Sequence, residues 1–360
     1  MSAPPQPVFS VVLSTYNRGA LLVDAVRSLL ALNPASPPHE LIVVDNNSTD
    51  HTREVVHSLI PESGGRLRYV FEGKQGLSHA RNAGVEASRG RIVAFTDDDV
   101  RASPGWLIAL DCAFDAHPDA AYAGGRVLPM WPSPPPAWLT DWFWSPLALS
   151  DYGPEGRYID ASQPDAYVTI VGANLAVRRE VFDTLGGFDP RYQHEPGAVT
   201  ACEDHEFEMR LVNAGLRGWY EPSAVIHAEI QPKRLTREYH RKWAFDHGRA
   251  TARMTPPGHT FDGNCTVVRR PSTARSFLGA PGFLYRTVAS YGWGYLKARV
   301  RRDAPGILWW EFKLLSQLGE LHYHLTARRR DPHALAMAGE APRLAPSTPA
   351  VVPVTAMAIK

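Results

Sequence analysis

Apolar residues along this chain arrive in short runs, each closed by a polar loop and followed by a stripe at helical spacing. Val8–Leu13 is a nearly unbroken apolar run, the pattern of a strand buried on both faces. It ends in the loop Ser14-Thr-Tyr-Asn17-Arg-Gly19, after which Leu21, Leu22, Ala25, Val26, Leu29 and Leu30 recur with the period of a helix. Leu41–Val44, the turn Asp45–Asp50 and a helix over Thr52–Ile60 repeat the unit. Leu67–Phe71, the loop Gly73–Gly76 and a small-residue helix over Leu77–Ala87 form a third. A fourth strand, Ile92–Phe95, runs into Asp97-Asp98-Asp99, and Ser103-Pro104 reads as the N-cap and N1 of the next helix, which continues over Trp106–Ala116. This alternation predicts an α/β fold with a doubly wound, mostly parallel sheet and right-handed crossovers.

The second half is less regular. Ala120–Leu128 reads as a further strand, and 129–165 is then crowded with Pro and aromatics, Trp131, Trp138, Trp142 and Trp144 among them. A segment of this length inside a compact domain is usually a lid or binding loop. Trp138 and Trp142 could offer faces to sugar rings or could pack the loop onto the domain. Tyr167–Val177 reads as a strand interrupted by Gly172-Ala173-Asn174, and Arg179–Leu185 as a helix ended by Gly186-Gly187. Cys202-Glu203-Asp204 opens a helix whose acidic first turn suits its dipole, and Gly215 closes it. Trp219–Tyr220 and Ala224–His227 read as short strands.

Beyond Pro232 the pattern turns basic and amphipathic. Helices are expected over Thr236–Arg249, Ala274–Val300 and Ile307–Arg328. Their Arg and Lys residues lie near Phe283, Tyr285, Trp293, Trp309 and Trp310. That is either a surface that rests on an anionic membrane or a helical appendage with a solvated Arg face. The Ala/Pro-rich tail, 331–360, lacks periodicity and is expected to be disordered.

Charge changes this picture little. Lys and Arg total 38 against 37 Asp and Glu, so no global basic field argues for nucleic acid. The three cysteines, Cys112, Cys202 and Cys265, are scattered without metal-ligand spacing, as expected of a reduced, cytoplasmic protein. The N-terminus lacks the basic and apolar regions of a signal peptide, and no apolar run is long enough to span a bilayer. The chemistry concentrates at Asp97–Asp99. Three adjacent carboxylates repel one another unless solvated or bound to a cation, and Mg²⁺ or Mn²⁺ commonly shares such a site with substrate phosphates. The carboxyl end of a central strand is where open α/β sheets bind ligands, although a solvated acidic turn has the same sequence.

Seven segments, in order, resemble the motifs of family 2 glycosyltransferases. They are Phe9–Arg18, Ile42–Asp50, Gly76–Gly84, Phe95–Asp99, Gly172–Arg178, Gly186–Asp189 and Glu203-Asp204, spread over residues 8–230. The resemblance implies a Rossmann-like GT-A fold in residues 1–230, with a nucleotide-binding half (8–128), an acceptor-side half (129–230) and a helical appendage (231–330). It implies inverting transfer from a nucleotide-diphosphate-sugar donor to a hydroxyl, aided by Mn²⁺ or Mg²⁺. By similarity Thr15, Tyr16, Asn17, Arg18, Asp45 and Ser48 hold the nucleobase, and Arg81 contacts the nucleotide. Asp45 and Ser48 could equally form a turn and a helix cap. Asp97 reaches the ribose and, directly or through water, the metal; Asp99 binds the metal, and His227 is either a further ligand or a structural histidine. Asp98 either joins the nucleotide site or points away and caps the helix. Gly172, Ala173 and Asn174 line the donor sugar. Asp204 is the base, with Glu203 orienting the acceptor or Asp204 itself.

Processive relatives carry a Gln-x-x-Arg-Trp motif and membrane spans. Here only Arg241-Lys-Trp243 is found, which argues for adding one sugar or a few. The resemblance also implies a setting in glycan, glycolipid or secondary-metabolite assembly, at the inner face of a membrane. Two other readings stay open: a nucleotidyltransferase, disfavoured by the lack of a Gly-rich, Lys-containing first loop, and a non-catalytic nucleotide-sugar-binding relative.

Overall fold

The computed structural model describes residues 6–160, 168–193, 197–255, 259–261, 267–269 and 276–326. The expected units are all present: β1 (Phe9–Thr15), α1 (Gly19–Leu30), β2 (His39–Asp45), α2 (Thr52–Leu59), β3 (Leu67–Phe71), α3 (Leu77–Ala87) and β4 (Ile92–Asp97). Then come β5 (Val100–Ala102), α4 (Trp106–Ala116), β6 (Ala120–Gly124), β7 (Val127–Met130), β8 (Arg157–Ile159), β9 (Leu175–Arg178) and α5 (Arg179–Leu185). The chain continues through α6 (Glu203–Asn213), β10 (Arg217–Tyr220), β11 (Ile226–Glu229), α7 (Arg237–Met254), α8 (Gly282–Arg301) and α9 (Ala304–Thr326).

The main sheet has the order β3-β2-β1-β4-β9-β6-β10-β8. β1 pairs in parallel with both β2 and β4, and every residue of β1 is buried. Its alternate side chains feed two cores, as the unbroken apolar run requires. Phe9, Val11 and Leu13 pack with Leu22, Val26, Val56 and Leu110 of α1, α2 and α4. Val12 packs with Ile42, Ala80, Phe95, Phe182 and Phe207, beneath α3, α5 and α6. The winding is thus double and the sheet mostly parallel, with β9 reversed between β4 and β6.

Some boundaries differ from the expectation. Ala120–Leu128 is not one strand: β6 ends at Gly124, and β7 joins a second sheet of order β5-β11-β7. The break follows from close backbone approach, since a Cβ on Gly125 would overlap the carbonyls of Glu221 and Ala224. Ser103 and Pro104 lie in the turn before α4, whose N-cap is Gly105; the Trp106 N–H bonds the Ser103 carbonyl instead of its side chain. β9 covers only Leu175–Arg178, because Gly172–Asn174 forms a 3-10 turn. The second C-terminal helix starts at Gly282, not Ala274, after a hairpin pairing Ser276–Phe277 with Ala280–Pro281. Cys265, Arg328–Arg330 and the tail 331–360 lie outside the described residues.

The aromatic loop after β7 is a packed cover. Leu139, Phe143, Leu147 and Leu149 are buried, and Trp131, Trp138 and Trp144 pack against the core beneath. α7 and the turn before it close over the loop: Arg234 of that turn and Tyr239 both donate to the Pro146 carbonyl, and His240 sits edge-on to Trp138 at 5.0 Å. α9 then packs on α7 so closely that a Cβ on Gly248 would overlap the Ser316 carbonyl, and one on Gly319 that of Phe245. No described helix is long and apolar enough to cross a membrane. Because the clash at Gly248 is with backbone, Gly248→Val is expected to cost about 1–3 kcal/mol. It should also render α8 and α9 protease-sensitive, as checked by thermal melting and limited proteolysis.

Candidate active site

The carboxyl ends of the parallel strands lie level: Thr15 pairs with Asp45, Asp45 with Phe71, and Ser14 with Asp97. The polar loops that follow therefore crowd one edge of the sheet. Asp45 is buried and accepts from the Tyr69 hydroxyl at 2.7 Å and the Ser48 N–H at 3.0 Å, so the expected turn is present. The expected helix cap is not. Ser48 accepts from the Asn17 N–H at 2.9 Å, whereas Asp50 accepts from the Thr52 N–H at the start of α2. Asn17, at φ 51°, adopts the left-handed conformation that Asn tolerates, and its side chain accepts the Thr49 N–H at 2.7 Å. The two loops are thereby stapled, with Tyr16 exposed between them. Asn46, which sequence reasoning passed over, donates to the Lys74 carbonyl and accepts from the Gly76 N–H, and so shapes the loop entering α3. Its only signal was its place in Asp45-Asn-Asn.

The three aspartates have different posts. Asp98 is buried and accepts from Thr15 Oγ1 and Arg18 Nη1, each at 2.8 Å. It clamps the β1 loop to the β4 loop and caps no helix. Arg18 also reaches Asp99 at 3.2 Å. Asp97 has its carboxyl raised to about 6, by loss of water and then, against the pull of Arg81, by Asp99, Asp98 and Asp204. That desolvation reflects the recess it occupies, since 33% of its side chain still meets solvent. A position so rich in negative charge favours a cation. The expected ligand His227 lies on β11 opposite Arg101, and two residues further along the strand the Glu229 N–H donates to the Asp99 carbonyl. Among the described residues no three His, Cys, Asp or Glu side chains are gathered as a metal site, so Asp97, Asp99 and His227 do not form a ready-made cage. Mg²⁺-like ions need no such cage, for one or two carboxylates suffice when phosphates supply the rest. Asp97 and Asp99 fit that requirement.

Arg81, expected at the nucleotide, is paired with acids of the protein. Its guanidinium is buried, 2.9 Å from Glu203 Oε1 and 3.7 Å from Asp97 Oδ1, and lies over the Phe188 ring. It cross-links the β4 acids to α6. Gly172 makes room for it, since a Cβ there would stand 2.6 Å from Arg81 Nη2. The Gly172 N–H donates to Asp204 Oδ2 at 3.0 Å, and the His205 N–H to Oδ1 at 2.8 Å. Asn174 is wholly buried and satisfied by Trp106 Nε1 and the carbonyls of Arg126 and Ala224, and Ala173 lies in the core. Both therefore brace the turn, and only Gly172 of the three reaches the acids. Trp138 packs on Phe143 and His240 beneath Arg237, which leaves Trp142 as the exposed ring of that pair.

Beside the start of α6 is a cavity of about 140 Å³, lined by Tyr192, Thr200, Cys202, Arg249, Arg253 and Tyr323 among others. Sequence periodicity gave no hint that α7 and α9 would supply part of this wall. α7 also brings His247 against the site. Burial and then nearby His205 lower its pKa to about 3, so it packs as a neutral ring.

Burial, and then Asp204, raise the Glu203 carboxyl from 4.5 to about 7 against the pull of Arg81. The folded chain thus keeps a proton that the unfolded chain releases, and stability falls as pH rises across that interval. Glu203→Gln cannot ionise. Because it also loses the ion pair with Arg81, it is expected to be less stable than the parent, while its stability no longer falls as pH rises above the ordinary carboxylate range, read from urea unfolding at each pH.

Residues 10–186 match the profile of Glycosyl transferase family 2. The glucosyl-dolichyl phosphate glucuronosyltransferase of Haloferax volcanii is 29% identical over 182 residues, which are 50% of this chain and 55% of that protein. The validoxylamine A glucosyltransferase of Streptomyces hygroscopicus subsp. jinggangensis is 39% identical over 103 residues, 28% of this chain and 24% of that protein. The chain thus spans about half the length of the first relative and about a quarter of the second. Among solved structures, a mannosyltransferase from Pyrobaculum calidifontis in complex with GDP-Man and Mn²⁺ aligns over 93% of this chain and 79% of its own, with TM-score 0.51 and 18% identity. That likeness extends to the fold. Motif order, sheet topology and the profile match agree: through residues 10–186 this chain belongs to glycosyl transferase family 2.

Proposed function

We propose that the chain is an inverting glycosyltransferase that moves a sugar from a nucleoside-diphosphate donor to a hydroxyl of a glycan, lipid-linked or small-molecule acceptor. The observation that carries this is the Arg81 bridge, which sets the Asp97 side of the sheet edge against the Glu203-Asp204 turn of α6. One side is suited to the donor's leaving group and the other to the acceptor. Similarity to the two relatives, one a glucuronosyl- and the other a glucosyltransferase by name, supports the reaction class.

In this reading the stapled loops Thr15–Arg18 and Asp45–Ser48 hold the nucleobase, with Tyr16 as the exposed ring. Asp97 and Asp99 would hold Mn²⁺ or Mg²⁺ against the diphosphate; the ion, when bound, offsets the charge that develops on the leaving group. Asp204, positioned by two backbone N–H groups, takes the acceptor proton as that oxygen bonds the anomeric carbon. The bond to the diphosphate breaks on the opposite face and its electron pair leaves with the nucleotide, so configuration inverts. Glu203, buried against Arg81, acts as a positioning residue. The cavity beside Cys202 takes the acceptor, with Arg249 and Arg253 suited to an anionic group on it.

Thermal shift with UDP, GDP, dTDP or CMP, each with Mn²⁺ or chelator, is expected to reveal one nucleotide that raises the melting temperature only with metal. Asp204→Asn should keep that shift and lose transfer by about 10²- to 10⁴-fold; unchanged transfer would refute the assignment. Arg253→Ala should raise the acceptor KM and leave the donor KM alone.

A further inference from the structure

Helix α8 has two unlike sides. The inner one packs on α9: Leu284 and Ala298 are buried, and Gly294 leaves space for the Trp310 ring, which a Cβ would meet at 2.5 Å. The outer one carries Ala289, Trp293, Leu296 and Val300, spaced four, three and four residues apart and so aligned in one stripe. Trp293 is 60% exposed, Leu296 53% and Val300 80%. Phe277 and Leu278, in the hairpin just before the helix, are exposed as well. Five of the eight large apolar side chains exposed among the described residues therefore lie between 277 and 300, which scattered surface hydrophobics do not explain.

Cations border the stripe. Arg286, Lys297 and Arg301 fall along its flank at helical spacing, Arg302 follows, and α8 contains no acidic residue. The Lys297 ammonium stands over the Trp293 ring at 5.3 Å. In a chain whose charges otherwise almost cancel, this is a local positive strip joined to an apolar one.

We propose that this face of α8 rests on an anionic lipid bilayer, the helix lying in the interface with Trp293, Leu296 and Val300 inserted and Lys297 and Arg301 reaching the headgroups. A second copy of this chain suits the face less well, because a two-fold contact would set like cations against one another with no acid on the helix. The broader expectation for 236–330 contracts to this one face for a physical reason. α7 and α9 bury their aromatics in each other, as Trp243 stacks on Phe312 at 5.8 Å, and Trp310 is held against Gly294.

The test is sedimentation of the full chain with phosphatidylcholine vesicles, with and without about a third phosphatidylglycerol, at low and high salt. Binding to the anionic vesicles alone, reduced by salt, is expected. Trp293→Ser combined with Val300→Ser should cut the bound fraction about tenfold, and so should Lys297→Gln with Arg301→Gln. All four side chains are on the outer face, so an unchanged melting temperature verifies that each variant is folded. Recovery of the parent in the supernatant with anionic vesicles at low salt would overturn the proposal. Binding that both double variants leave intact would do the same. A concentration-dependent dimer in light scattering, abolished by the Trp293/Val300 pair, would reassign the face to a second copy. None of these readouts depends on transferase activity.

Discussion

Arg81 is a buried cation held between carboxylates from two distant parts of the chain, Asp97 at the end of β4 and Glu203 at the start of α6. A charge in that position is tolerable only while its partners are in place, because removing one partner of a buried pair typically costs about 3–5 kcal/mol. The surroundings are built to that requirement. Gly172 gives up its side chain to admit the guanidinium, and Phe188 presents its ring face. The same Gly172 donates its N–H to Asp204. The cross-link that stabilises the junction between sheet and α6 therefore also sets where the proposed base stands relative to the triple-aspartate edge.

The edge proposed for the nucleotide is ordered by a second set of constraints. Asn17, Asn46, Ser48 and Asp98 use their side chains on neighbouring loops: Asp98 ties the end of β1 to the end of β4, Asn17 and Ser48 tie the β1 loop to the β2 loop, and Asn46 reaches the loop entering α3. Binding sites gain when such loops are ordered before a ligand arrives, since their ordering entropy is not charged to binding. Several residues expected at a ligand make their hydrogen bonds and ion pairs to protein groups. Arg81 pairs with Glu203 and Asp97, Asp98 accepts from Thr15 and Arg18, and Asn174 is held by Trp106 and the carbonyls of Arg126 and Ala224.

The C-terminal helices are continuous with this arrangement. α7 packs on the aromatic loop through Tyr239 and His240, and its Asp246 accepts the Val199 N–H from the segment leading into α6. Arg249 and Arg253 of the same helix line the cavity beside Cys202. α9 is fastened to α7 by glycine-mediated backbone contact, and α8 leans on α9 while keeping a bare face outward. The region after residue 230 thereby contributes both a wall of the cavity beside Cys202 and a surface of its own.

By itself the sequence determined what depends on neighbours along the chain. Apolar runs and helical stripes located β1 to β4 and α1 to α3, and the spacing of acids, glycines and asparagines pointed to the family and to the edge of the sheet that carries chemistry. Such signals are local because burial on a strand or a helix imprints a period on adjacent residues. Only the tertiary structure decided which polar residues hold one another in place. Arg81 finds Glu203 more than a hundred residues away, Asn174 finds Trp106, and the strand breaks at Gly125 because the chain at Glu221–Ala224 approaches too closely for a side chain. Those outcomes are set by pairings across the fold, where a charge or an amide must find its partner before water is excluded, and no periodicity in the chain records the choice.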